Sequence, residues 1–114
     1  MTRMELELLQ DRATVASTLL KAMSNRHRLL ILCQLVQGEK CVGELEAVVG
    51  LSQSALSQHL ARLRRDALVK TRRSAQTIYY SLAGEEVNAV IRTLYDLYCG
   101  PPAEFSTSRP TAAP

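Results

Sequence analysis

The segment LSQSALSQHLARLRRD, residues 51–66, limits what this chain can fold into more than any other stretch. Ser52 is a good N-cap, and helical spacing counted from it puts Leu56, Leu60, Leu63 and Ala67 on one side. Ser54, Ser57, Gln58, Ala61, Arg62 and Arg65 fall on the other. A solvated helix face usually mixes Glu, Lys and Asp, yet this one has no acid before Asp66. Short hydrogen-bonding side chains that run into arginines suit a surface meeting bases and phosphates.

The flanking sequence decides between that reading and a merely solvated basic face. A short helix over about Gly43 to Val49 precedes the segment, and Gly50, Leu51, Ser52 and Gln53 form a four-residue linker. Two helices joined so closely have the look of a helix-turn-helix. VKTRR and TIYYSL follow, two β-rich segments joined by Ser74, Ala75 and Gln76, which predicts a hairpin. Upstream, residues 4–23 predict a first helix, with Leu6, Leu9, Ala13, Ala16, Leu20 and Met23 roughly aligned. A second helix, capped by Ser24 or Asn25 and ended by Gly38, is apolar almost all round and is expected to be buried. GEEVNAVIRTLYDLYC predicts a last helix, with Val87, Val90, Ile91, Leu94 and Tyr98 on one side. The expected fold is mainly α with a β-hairpin wing: a winged helix-turn-helix in the order α-α-α-α-β-β-α.

Charge and composition agree with a nucleic-acid partner. Net charge is only +3, but six of the fourteen Lys/Arg lie between Arg62 and Arg73, with Asp66 the one acid among them. A localised basic patch points to a polyanion bound on one face. In a winged helix the N-terminal residues of the recognition helix meet base edges. Gln53, Ser54, Ser57 and Gln58 are therefore the candidate base readers, while Arg62 and Arg65 are expected to hold phosphates. Lys70, Arg72, Arg73, Gln76 and Thr77 would form a wing against backbone or minor groove. His59, at the edge of the apolar side, and His27 are read as structural.

One helix-turn-helix spans few base pairs, so specific binding calls for two half-sites and a two-fold dimer. The first and last helices carry apolar faces outside the DNA-binding core and are the expected dimer interface. With 114 residues the chain reads as one domain over 1–100, and all four prolines fall in a tail over 101–114 expected to be disordered. The start, TRMELELLQD, is acidic and unlike a secretory leader, and no apolar run approaches the ~20 residues that cross a bilayer. A cytoplasmic protein with free thiols at Cys33, Cys41 and Cys99 is expected. No nucleophile–base–acid set, phosphate loop or cofactor motif is present, so neither an enzyme nor a cofactor is expected.

MSNRHRLLILCQL, VGELEAVVGLSQSALSQHLARLRRDALVKTRRSAQTIYYSL and the final LYC resemble the ArsR/SmtB family of bacterial winged-helix repressors. Within it, a Cys in ILCQL and a Cys ending the last helix, here Cys33 and Cys99, resemble the dithiol, persulfide-responsive (SqrR/BigR/HlyU-like) branch. The resemblance covers roughly residues 14–100. It implies a homodimer that binds a palindromic operator and lets go when reactive sulfur species oxidise the Cys33/Cys99 pair. The alternatives are a general peroxide or disulfide sensor, or an anti-silencing virulence regulator. In another class stands a soft-metal-binding thiol protein. Metal-sensing members use Cys-x-Cys at the third helix or Asp/His/Glu ligands on the last. Here Gly43 stands where the second Cys would be and the last helix has no His, which disfavours a metal site. Cys41 is read as idle, and the cationic start of the second helix is expected to favour a thiolate at Cys33.

Overall fold

The computed structural model describes residues 1–100; the Pro-rich segment 101–114 expected to be disordered lies outside the described residues. The chain runs α1 (Arg3–Met23), α2 (Arg26–Val36), β1 (Lys40–Cys41), α3 (Val42–Val49), α4 (Gln53–Arg65), β2 (Val69–Ser74), β3 (Thr77–Leu82) and α5 (Glu85–Cys99).

Capping chemistry explains where the helices begin. Thr2 and Glu5 form a reciprocal capping box: the Glu5 N–H donates to Thr2 Oγ1 at 3.1 Å and the Thr2 N–H to Glu5 Oε1 at 2.8 Å. Asn25 Oδ1 accepts the His27 and Arg28 N–H groups and opens α2. Ser52 Oγ accepts the Ala55 N–H and opens α4, as expected from the sequence. Gly50 ends α3 with φ 77°, a left-handed conformation that costs glycine little.

The expected hairpin is present as β2 and β3, and the short β1 adds a third strand to it. The wing is thus a three-stranded antiparallel sheet in the order β1-β3-β2, with Lys40 opposite Tyr80 and Cys41 opposite Tyr79. A two-residue strand is too short to show alternation, so GEKC gave no strand signal. Ser74 pairs with Thr77, which shortens the turn to Ala75 and Gln76, and Ala75 takes φ 57°.

The core is built on α2, whose Ile31 and Leu32 are wholly buried against Leu45, Leu56, Leu60, Leu63 and Ile91. Each such side chain contributes roughly 1.5–3 kcal/mol by leaving water. Leu30, however, is 37% exposed, so α2 is not apolar-packed on every side. Ala67 is a further correction, because it is exposed and lies beyond the helix with φ 63°. The Leu68 N–H donates to Leu63 O, and the Ala67 N–H to Arg64 O, which closes α4 in a Schellman motif with Leu68 buried over Leu63. The apolar stripe therefore passes to Leu68.

Two helices keep apolar surface in solvent. On α1, Leu6, Leu9 and Leu20 of the expected stripe are exposed, and only its C-terminal Ala22 and Met23 are buried. On α5, Val87 and Ile91 pack into the core, whereas Tyr98, placed on the same side by the sequence, is 61% exposed. Among the described residues, no helix is long and apolar enough to cross a membrane.

Candidate nucleic-acid interface and thiol pair

Helix α4 and the β2–β3 hairpin adjoin in sequence, and Leu56, Leu60, Leu63, Leu68 and Val69 anchor them to one core. That anchoring leaves Gln53, Ser54, Ser57 and Gln58 exposed along α4. Lys70, Arg73, Gln76 and Thr77 are exposed on the wing.

The arginines are less uniform than the sequence implied. Asp66 Oδ2 accepts Arg62 Nε–H at 3.3 Å, and Arg65 Nε lies 3.7 Å from Asp66 Oδ1. The one acid of the basic stretch is thus shared by two of its arginines. Arg72 turns back into the protein, donating from Nε to both Glu39 oxygens at 3.2 and 3.0 Å and from Nη2 to Oε1 at 2.7 Å. Its guanidinium also lies 4.8 Å from the centre of the Tyr79 ring. This fork holds the Glu39 carboxyl below its ordinary pKa and the Arg72 guanidinium above its own. Arg72 therefore ties β2 of the wing to the turn that leads from α2 into β1, a role that residue spacing did not suggest.

Arg28 and His27 of α2 lie close to His59 of α4. Arg28 is buried, and its Nε–H donates to Ala22 O at 2.6 Å, which fastens α2 to the end of α1. Burial, and then Arg62, lower its pKa, while Asp66 opposes them. His27 and His59 stack at 5.7 Å between ring centroids, consistent with structural roles for both. Arg64, not singled out from the sequence, lines a crevice with Ser57, Ala61, Arg65 and Tyr80.

The thiols are all free. Cys33 is half-buried on α2 against the core, next to half-buried Val36, and Cys99 is exposed at the end of α5. Burial, followed by the neighbouring Cys99 thiol, pushes the Cys33 pKa up. This overturns the expectation of a thiolate favoured at Cys33: desolvation outweighs the cationic first turn, which lies nearly two turns away. The Cys33 side chain opens on a cavity of about 320 Å³ lined also by Val36, Gln37, Arg92, Tyr95 and Asp96. Cys41 is the N-cap of α3, and its N–H donates to Glu44 Oε1 at 2.9 Å, which lowers the Glu44 pKa. Among the described residues, no group of three or more His, Cys, Asp or Glu side chains is arranged to hold a metal ion.

Comparison with known proteins gives a consistent picture. Residues 25–71 match the family model described as bacterial regulatory protein, arsR family. The chain is 54% identical over 96 residues to the transcriptional activator HlyU of Vibrio cholerae, covering 84% of this chain and 89% of that one. It is 52% identical over 96 residues to the regulator YgaV of Escherichia coli, covering 83% and 97%. The biofilm growth-associated repressor of Agrobacterium fabrum is 43% identical over 96 residues, covering 84% and 82%. The solved structure of reduced Vibrio cholerae HlyU superposes with a TM-score of 0.79 at 54% identity, over 82% of this chain and 98% of the other.

Proposed function

Because the chain belongs to the ArsR family of bacterial regulatory proteins, a DNA-binding transcriptional regulator and not an enzyme, we propose that it is a cytoplasmic, homodimeric repressor released by reactive sulfur. Its palindromic operator would be read by Gln53, Ser54, Ser57 and Gln58 in the major groove. Arg62, Arg65 and the wing residues Lys70, Arg73, Gln76 and Thr77 would hold backbone. The observation that carries this part is that Gln53, Ser54, Ser57, Gln58 and Arg65 on α4 and Lys70, Arg73, Gln76 and Thr77 on the wing are all exposed, while Arg62 is half-buried beside Asp66. Arg72 acts through Glu39 to set the wing rather than as a free phosphate ligand.

Dimerisation is supported by the apolar surface that α1 and α5 leave in solvent, with Leu6, Leu9, Val15, Leu20 and Leu97 all exposed. A palindromic operator requires such a pairing of two copies to hold the two recognition helices about one DNA turn, ~34 Å, apart.

The inducer would act on Cys33 and Cys99. Three molecules of a persulfide RSSH and the two thiols give a Cys33–S–S–S–S–Cys99 bridge, three RSH and one hydrogen sulfide. Each transfer is attack of a thiolate or persulfide anion on sulfane sulfur, with thiolate or hydrosulfide leaving. The support is the pairing itself: Cys33 feels Cys99 electrostatically across α2 and α5 while both stay unbridged. A bridge would tie α2, the centre of the core, to α5 of the dimer scaffold and change the spacing of the recognition helices. A coupling of ~1–3 kcal/mol, a 5- to 150-fold change in affinity, is typical and sufficient.

The DNA half of this reading is tested by titrating reduced protein onto its operator and onto unrelated DNA at several salt concentrations. A log–log slope near −0.9 per phosphate contacted is expected, with tighter operator binding that Gln58→Ala weakens. Equal affinity for both DNAs would refute it.

A further inference from the structure

We propose that the cavity beside Cys33 is an entry site for small anionic sulfur donors, and that Arg92 is the residue that captures the anion. The inference rests on the thiol-sensing reading above and gives that site a donor class.

At about 320 Å³ the cavity is at the small end of ligand sites, suited to a low-molecular-weight donor and not to a protein thiol. Its walls come from two sides: Cys33, Val36 and Gln37 from α2 and its C-cap, and Arg92, Tyr95 and Asp96 from α5. Arg92 is the one cation among them. Its Nε–H donates to Asn88 Oδ1 at 3.1 Å, one turn back on α5, so the side chain is held by a neutral amide. Asp96, one turn ahead, opposes an incoming anion. The bond to Asn88 engages Nε and leaves the terminal guanidinium nitrogens of Arg92 available to a ligand.

The chemistry at Cys33 gives this cation a purpose. The thiolate is the nucleophile, yet burial and Cys99 disfavour it. Cys33 attacks the outer sulfur of R–S–SH, the donor's S–S bond breaks, and RS⁻ leaves to take a proton from water. The product is the Cys33 persulfide, and the donor is reduced to RSH. Negative charge crosses from protein to leaving group beside Arg92, which stabilises it throughout. An organic persulfide bearing a carboxylate, or an inorganic hydropolysulfide, presents the anion that Arg92 attracts. A neutral oxidant such as peroxide gains nothing from it.

The test uses the full chain with Cys41→Ser and Cys99→Ser, which leaves Cys33 as the one thiol. Cys33 is alkylated with iodoacetate and, separately, with iodoacetamide, reagents of similar size that differ by one negative charge. Arg92→Gln is expected to lower the iodoacetate-to-iodoacetamide rate ratio roughly three- to tenfold, as one unscreened charge at short range would. Arg92→Lys should preserve the ratio, Asp96→Asn should raise it, and about 1 M salt should shrink all these effects. A ratio that Arg92→Gln leaves unchanged overturns the proposal, whatever the protein senses. Sulfuration rates with inorganic polysulfide and with a carboxylated persulfide then separate the two sources. Slowing of both by Arg92→Gln assigns Arg92 to any anion, slowing of the carboxylated donor alone assigns it to the carboxylate, and slowing of neither overturns the proposal.

Discussion

His27, in the first turn of α2, lies against His59, in the middle of α4, with ring centroids 5.7 Å apart and planes inclined by 36°. The contact joins the helix that carries Cys33 to the helix that carries the candidate base readers. Desolvation lowers the His59 pKa, and the charges of Arg28 and His27 lower it further. His27 Nδ1 is buried with no hydrogen-bond partner among the described residues.

A pH dependence follows from His59. Its folded pKa is depressed, so the unfolded chain takes up the proton first as pH falls through about 6.5. Stability is full above that pH and drops below it. Thermal melts from pH 7.5 to 5.5 should show a falling Tm, and His59→Gln should flatten the profile. Glu39 and Glu44, whose pKa values are lowered, act only further down, as pH falls through the carboxylate range. The two windows therefore separate.

Asp66 restrains the two arginines that it pairs with. Asp66→Asn should free Arg62 and Arg65 for phosphates and remove a negative charge from the interface. Binding to unrelated DNA at low salt should tighten, and the salt slope should steepen by about one. Asp66 is half-buried but stays at the surface, where such pairs stabilise by ~0–1 kcal/mol, so the melting temperature should change little.

The wing arginines should part company. Arg73→Ala is expected to reduce the salt slope by roughly one, as loss of a phosphate contact does. Arg72→Ala is expected to loosen the β1–β3–β2 sheet where Glu39 meets it, lowering the melting temperature slightly with no comparable change in slope. Parallel titrations and melts of the two variants check both.

The residue closing α4 is not the best one for its backbone. Ala67 holds φ 63° where the Schellman motif favours glycine, and the left-handed conformation costs a non-glycine residue roughly 1–2 kcal/mol. Ala67→Gly loses some of that gain to unfolded-chain entropy. A net stabilisation of about 0.5–1 kcal/mol by denaturant melt is the expected result.

The architecture was legible because its signals are local. Ser52 as a cap, the Leu56–Leu60–Leu63 stripe and the glycine stops each depend on residues within a turn or two of one another. What escaped was set by distance in sequence. The Glu39–Arg72 fork joins residues 33 positions apart, and β1 exists only because Tyr79 and Tyr80 pair with it. Ala67 was misplaced because helical periodicity carries no information about where the helix stops. The thiolate expectation at Cys33 failed for a related reason, since burial against α5 is a tertiary fact that outweighs the local charge. Arg92 and Tyr95 were invisible as partners of Cys33 until α5 was laid across α2.

The most direct measurement is mass spectrometry of reduced, metal-free protein after exposure to a persulfide, with the same sample titrated onto operator DNA. The account predicts a gain of two sulfur atoms and loss of two hydrogens, mapped to Cys33 and Cys99, together with at least roughly fivefold weaker operator binding. Cys41→Ser should leave both results unchanged. Full operator affinity in protein that carries the mapped bridge, or loss of affinity that persists in Cys33→Ser, would contradict it.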